Sequence, residues 1–227
     1  MYKVRKTAFG ILGVLILSCV MMYFMEVFMK PGYLIKSVWK IGTFAILPLI
    51  YCIFDKNISL KHFFKVNSRK QIIRSLALGV GVYTLIFCSY LLLANFIDLD
   101  NIATLLSENY RVNKDNFIFV ALYISFINSL LEEFFFRGFA FLSLSKVLPR
   151  FHSYIISAMA FSIYHISILT NWFNPWLFIT IITGLFISGL FFNWLNEKSK
   201  NIYNSWLVHM SANFAINTVG LIMFMGR

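Results

Sequence analysis

The chain has 227 residues, 59% of them hydrophobic and 13% charged, and a net charge of +11. A soluble domain is about 45–50% apolar and about 25% charged, so this balance excludes intrinsic disorder and a secreted disulfide scaffold and disfavours a nucleic-acid reading of the positive charge. A membrane-spanning helix takes about 20 residues, so a chain of this length and composition is expected to be an all-α polytopic transmembrane bundle of about seven spans, within roughly six to eight.

The first predicted span is Ala8–Met25, preceded by Lys3, Arg5 and Lys6. It is too long for a signal-peptide core and no A-x-A-like site follows it, so it reads as a retained helix. Ile41–Phe54 is the second. It is short for a span, and Lys36 and Lys40 would lengthen it by snorkelling. Ser75–Ile97 is the third. Asn116–Leu131 opens the fourth, which continues through Glu132 and Glu133 to about Ser145. Ser153–Asn196 holds 44 residues without Asp, Glu, Lys or Arg. That is room for two spans, with Asn171, Asn174 and Pro175 marking the turn. Asn201–Gly226 is the seventh. These runs are continuously apolar rather than alternating, which argues against strands. The whole chain, 1–227, is expected to form one membrane domain, with 1–115 supplying three spans and their loops and 116–226 a core of four spans.

Charge placement gives the orientation. With the amino terminus in the cytoplasm, thirteen of the 20 Lys and Arg residues fall on the inner side. Six fall outside: Lys30, Lys36, Lys40, Arg111, Lys114 and Arg227. The loop after the third span is acidic, with Asp98, Asp100, Glu108 and Asp115. The basic Lys56–Arg74 loop faces anionic lipid, so the bilayer, not nucleic acid, explains the net charge. Cys19, Cys52 and Cys88 lie in apolar runs without a C-x-x-C pair, and read as small core residues.

Three charged residues, Glu132, Glu133 and Arg137, lie deep in the fourth span. Each costs at least about 2.5–3.5 kcal/mol at mid-membrane on insertion scales, so such residues are functional candidates. Glu133 and Arg137 are an i,i+4 pair. Glu132 points about 100° away, leaving one carboxylate more than the arginine can neutralise. The bland alternative is a buried ion pair that fixes helix packing. His165 and His209 lie in two further spans, with Phe161 one turn before the first and Asn213 one turn after the second. Measured from the inner ends, the three positions fall at comparable depths of roughly 12–20 Å. A carboxylate and an imidazole can take a proton from water, while a second imidazole and a carboxamide can stabilise an oxyanion or ligate a metal. His62 and His152 read as surface residues. Ser129, Ser162, Ser188 and Ser211 read as packing serines, and Gly184 and Gly189 carry little signal. There is no H-E-x-x-H, no G-x-S-x-G and no Asp within a span.

Taken in order, Glu132-Glu133-Phe134-Phe135-Phe136-Arg137-Gly138, Phe161-Ser162-Ile163-Tyr164-His165 and His209-Met210-Ser211-Ala212-Asn213 resemble the three motifs of the CPBP family. These are the CAAX proteases and bacteriocin-processing proteins, also called the Abi family. The resemblance covers about Asn116–Phe224. It implies an intramembrane endopeptidase open to the cytosol. By position Glu132 would activate water with His165 assisting. His209 and Asn213 would stabilise the oxyanion, and Glu133 and Arg137 would orient and neutralise the site. The family is named for metalloproteases, so Glu132, His165, His209 and Asn213 could also ligate one divalent ion such as zinc. The substrate would be a peptide or small membrane protein. The Phe-, Ile-, Lys- and Asn-rich usage suggests a bacterial plasma membrane. A non-catalytic bacteriocin-immunity or scaffold protein is the alternative. A proton-relay transporter is a third reading, for which the outer half shows little polar residue.

Overall fold

The computed structural model describes residues 2–66 and 68–225, without the side chains of residues 2–4 and 61. Lys3, Lys61, Gly226 and Arg227, which enter the charge and span readings above, lie outside that description in whole or in side chain. The described residues are helical with no strand. Seven helices are long and apolar enough to cross a membrane: Arg5–Met29, Tyr33–Phe54, Arg69–Phe96, Phe117–Leu142, Arg150–Leu169, Pro175–Ser199 and Tyr203–Met225. The protein is thus an all-α, multi-pass membrane bundle, as its composition requires.

The expected spans all form, with one instructive difference in extent. The second begins at Tyr33, eight residues before the expected Ile41, and so contains both Lys36 and Lys40. Neither lysine snorkels. Both are buried, Lys40 at 3% exposure, because each meets a carboxylate inside the bundle. The turn between the fifth and sixth spans falls where expected. Asn174 accepts from the Leu177 amide at 3.0 Å and Pro175 takes the first helical position, where its missing N–H costs nothing.

The acidic segment expected as a loop holds a helix, Leu99–Tyr110. Asp98 caps it by accepting from the Asn101 amide at 2.9 Å, and Arg111 ends it in the left-handed region with φ 57°. Its apolar face, Ile102, Ala103 and Tyr110, packs with Phe117, Met223 and Phe224. Asp100 and Glu108 therefore belong to the exposed face of an amphipathic helix, with Asp98 at its cap and Asp115 beyond its end.

The fourth span is the axis of the bundle. All ten residues of Glu133–Leu142 are buried. Phe135, Phe136 and Phe139 pack with Ile11, Leu15 and Met22 of the first span, Phe44 of the second, and Phe161 and Tyr164 of the fifth. Phe44 and Phe135 stack with centroids 4.2 Å apart. The seventh span packs on the third where Gly79 lets Ser211 approach. The sixth packs on the fifth where Gly189 faces Ala158. Small residues permit such contacts between spans. Gly184, by contrast, has open space beside it. Cys19, Cys52 and Cys88 are free thiols. Cys19 and Cys52 border the core as read, whereas Cys88 is exposed on the outside of the bundle.

Candidate active site

The fourth span is widened twice. Ile124–Asn128 and Glu133–Leu142 both run with i→i+5 hydrogen bonds. Such turns disturb the regular ladder and recur at functional sites, and side chains from neighbouring spans must take up the backbone groups they shift. Three donors of the seventh span do this around the first widened turn. Trp206 Nε1 donates to the Phe126 carbonyl at 3.1 Å, Asn213 Nδ2 to Ile124 at 3.2 Å and Asn217 Nδ2 to Ala121 at 3.1 Å. At the second, Ser157 Oγ donates to the Phe136 carbonyl at 2.8 Å. The seventh span is thereby locked in register against the fourth, and His209 is brought to the two glutamates.

The separate spans converge. His165 Nε2 lies 3.8 Å and His209 Nε2 3.7 Å from the same oxygen, Glu132 Oε2. Among the described residues no hydrogen-bond partner reaches that oxygen. His165 Nδ1 sits 2.7 Å from the Phe161 carbonyl. A carbonyl only accepts, so Nδ1 carries the hydrogen and Nε2 presents its lone pair; the tautomer is assigned from this partner. His209 Nδ1 sits 2.9 Å from Glu133 Oε1 and donates there for the same reason. Glu133 also takes Arg137 Nη1 at 3.2 Å, with both side chains fully buried. The guanidinium lies over the Phe161 ring, 4.0 Å from its centroid, and near Phe192 at 5.0 Å. Phe192 in turn stacks on His209 at 5.4 Å. Phe161 thus does two things: its carbonyl aims His165, and its ring seats Arg137.

Glu132 is not the unpaired carboxylate expected from the count of charges in the fourth span. Its Oε1 contacts the Lys40 ammonium and accepts from Asn128 Nδ2 at 3.1 Å. Lys40 also donates to Asn128 Oδ1 at 2.6 Å. Lys40 and Asn128 are neighbours of Glu132 that sequence reasoning missed. The signal available was that the second apolar run was too short to span, together with the i,i+4 spacing of Asn128 and Glu132. A second buried pair, Glu26 with Lys36, lies one turn nearer the start of the second span. Tyr110 of the amphipathic helix donates to Glu26 Oε2 at 3.2 Å. The half of the bundle expected to face outward therefore holds more polar residues than the sequence reading assigned to it, and Glu26, Lys36 and Tyr110 are paired with one another.

Asn213 is placed differently from the other candidates. Its amide binds the fourth-span backbone at Ile124, one turn along from His209. His62 and His152 are exposed. Ser129, Ser162 and Ser211 each bond a backbone carbonyl, as packing serines do. Zinc would need about four ligands at about 2.0–2.2 Å. Among the described residues no group of three or more His, Cys, Asp or Glu is arranged to hold a metal ion, and a lysine ammonium already sits against Glu132. The donor set does not fit the ion that the motifs alone would allow.

The protein is a polytopic membrane bundle in which two imidazoles face one buried carboxylate, side chains of the kind that can exchange protons with water. Residues 114–215 match the family described as Type II CAAX prenyl endopeptidase Rce1-like, and this stretch contains all three motifs. The resemblance read from those motifs is borne out over that stretch. No curated protein and no solved structure matches the chain.

Proposed function

We propose that the protein is an intramembrane endopeptidase that hydrolyses a peptide bond of a membrane-associated protein or peptide. The observation that carries this reading is the convergence of His165 and His209 on Glu132 Oε2, at 3.8 and 3.7 Å. These gaps are too long for a direct hydrogen bond and suit one bridging water.

In the proposed reaction that water attacks the scissile carbonyl carbon. Its oxygen forms the new C–O bond and its proton passes to Glu132, with His165 Nε2 orienting the water. The carbonyl oxygen becomes an oxyanion, which accepts from a proton on His209 Nε2 and from the second N–H of Asn213. An amide carries two such donors, and Ile124 takes only one. Glu133 balances the charge of a doubly protonated His209 ring. The oxyanion then reforms the C=O bond as the C–N bond breaks, Glu132 returns its proton to the departing amine, and the products leave as an amine and a carboxylic acid that ionises by giving its proton to solvent. Glu132, Glu133, Arg137 and His209 are buried and His165 and Asn213 half-buried, which strengthens these electrostatic contacts relative to water.

The test uses the full chain in proteoliposomes with internally quenched peptides ending in a CAAX sequence, with and without a farnesyl group on the cysteine. The reaction is run in heavy-oxygen water and read by mass spectrometry. The expected result is one heavy oxygen on the new carboxylate, and no product from Glu132→Ala or His165→Ala. Absence of cleavage by the wild-type chain, or undiminished cleavage by either variant, overturns the reading. Binding of the peptides without cleavage would support the scaffold alternative instead.

A further inference from the structure

Among the described residues, six charged side chains are buried: Glu26, Glu132 and Glu133 against Lys36, Lys40 and Arg137. They form three pairs, Glu26–Lys36, Glu132–Lys40 and Glu133–Arg137. The network is therefore closed in charge, and Lys40 is the one cation that Glu132 has to itself. Lys36, one turn earlier on the same span, is taken by Glu26. Arg137 is taken by Glu133.

We propose that Lys40 is a positioning residue of the site: as the fixed counter-charge of Glu132 it engages Oε1 and turns Oε2 to the two histidines. The inference rests on the endopeptidase reading and goes beyond it, because Lys40 lies outside the matched residues 114–215. The geometry makes Lys40 rigid enough for the task. Of its three N–H groups, one meets Glu132 Oε1 and another the Asn128 carbonyl oxygen at 2.6 Å. The ammonium also lies 4.9 Å from the Tyr164 ring centroid and 5.3 Å from that of Phe44. Asn128 closes the arrangement by donating to the same carboxylate oxygen, so Oε1 is saturated and Oε2 is not.

A purely structural role would be served at least as well by apolar residues, since a buried ion pair seldom adds stability over a well-packed hydrophobic pair. What the pair does supply is a carboxylate that remains in the bundle as an anion with one oxygen free. A water-activating base needs both properties. A compact ammonium suits this position, having no planar fork that would claim both oxygens as arginine does.

The test compares Lys40→Met, Lys40→Gln and Lys40→Arg with wild type and Glu132→Ala on the farnesylated quenched peptide in proteoliposomes. With Lys40→Met and Lys40→Gln we expect kcat to fall by about 100-fold or more with KM little changed, the scale of losing one preorganised charge. Lys40→Arg should recover about tenfold of that loss. Where Lys40→Met does not fold, Lys40→Gln, which keeps a donor for Glu132, carries the comparison. Wild-type kcat in either neutral variant, or equal kcat in Lys40→Gln and Lys40→Arg, overturns the role of Lys40. If the wild type does not cleave, the endopeptidase reading itself falls; if Glu132→Ala still cleaves, the role of Glu132 as its base falls, and that of Lys40 with it. An inactive Glu132→Ala beside a fully active Lys40→Gln removes only the lysine.

Discussion

His209 donates Nδ1–H to Glu133 Oε1 across 2.9 Å, and the same oxygen takes Arg137 at 3.2 Å. One oxygen thus joins the histidine of the seventh span to the guanidinium of the fourth. Glu133→Gln leaves Arg137 buried without an anion, and breaking a buried pair from one side costs about 3–5 kcal/mol. Adding Arg137→Met removes the stranded charge and should restore most of that stability. Turnover should stay low, because His209 still lacks its negative partner. Thermal unfolding in detergent, alongside peptide cleavage, checks both halves. A double variant no more stable than Glu133→Gln would refute the pairing.

The arrangement of donors bears on metal dependence. Glu132 has Lys40 on one oxygen and two imidazoles about 3.7–3.8 Å from the other, and no three-residue metal set closes among the described residues. Prolonged treatment with EDTA or phenanthroline should therefore leave cleavage unchanged. Loss of activity that added zinc restores would show that the site rearranges around an ion.

Much of this fold could be read from the sequence because lipid leaves backbone groups no partner but their own helix. Apolar runs therefore mark the spans, and the turn at Asn174–Pro175 carries its own cap signal. The second span was misjudged at its start because a lysine at the margin of an apolar run ordinarily snorkels. Whether it does depends on a partner far along the chain, and for Lys40 that partner lies 92 residues away. Glu132, His165 and His209 were legible because each is a polar residue stranded in an apolar run. The widened turns were not legible: a Phe-rich stretch has the same composition whether it winds with i→i+4 or i→i+5 bonds. They shape the surface on which Asn213 finds Ile124.

Gly189 carries more weight than its sequence context suggests. A Cβ there would stand 2.9 Å from Ala158 Cα and 3.0 Å from its Cβ, both on a neighbouring helix that cannot swing aside. Gly189→Ala should push the sixth span off the fifth, at the roughly 1–3 kcal/mol typical of overpacking. Gly184→Ala, with nothing within 4 Å, should be neutral. Melting of the two variants in the same detergent separates them, and equal melting points would contradict the close contact.

Just past the end of the second span, Asp55 ties that span to the first. Burial works against its charge. Hydrogen bonds from Thr7, the Asn57 amide, Tyr51 and the Asn57 side chain outweigh it and hold the carboxyl below its ordinary value. A carboxyl depressed in the folded state adds stability above the unfolded value, and that stability is lost as pH falls through the folded one. The difference in melting temperature between wild type and Asp55→Asn should therefore be constant near neutrality and shrink below about pH 4. A difference that grew on acidification would have the wrong sign.

Asn213 and Asn217 offer a controlled comparison. They lie one turn apart on the seventh span, and each donates to a fourth-span carbonyl, at 3.2 and 3.1 Å. Asn217 also donates to Ser125 Oγ at 3.0 Å, so Asn217→Ala should cost at least as much stability as Asn213→Ala, each hydrogen bond between spans being worth about 0.6–1.7 kcal/mol. Only Asn213 lies next to His209 and has a proposed share in holding the oxyanion. Asn213→Ala should lower kcat by about 100-fold or more, as loss of one oxyanion donor does, while Asn217→Ala should cleave at nearly the wild-type rate. Steady-state cleavage by both variants, normalised to the folded fraction, decides the matter. Equal rates would assign Asn213 to packing alone and leave His209 as the sole oxyanion donor.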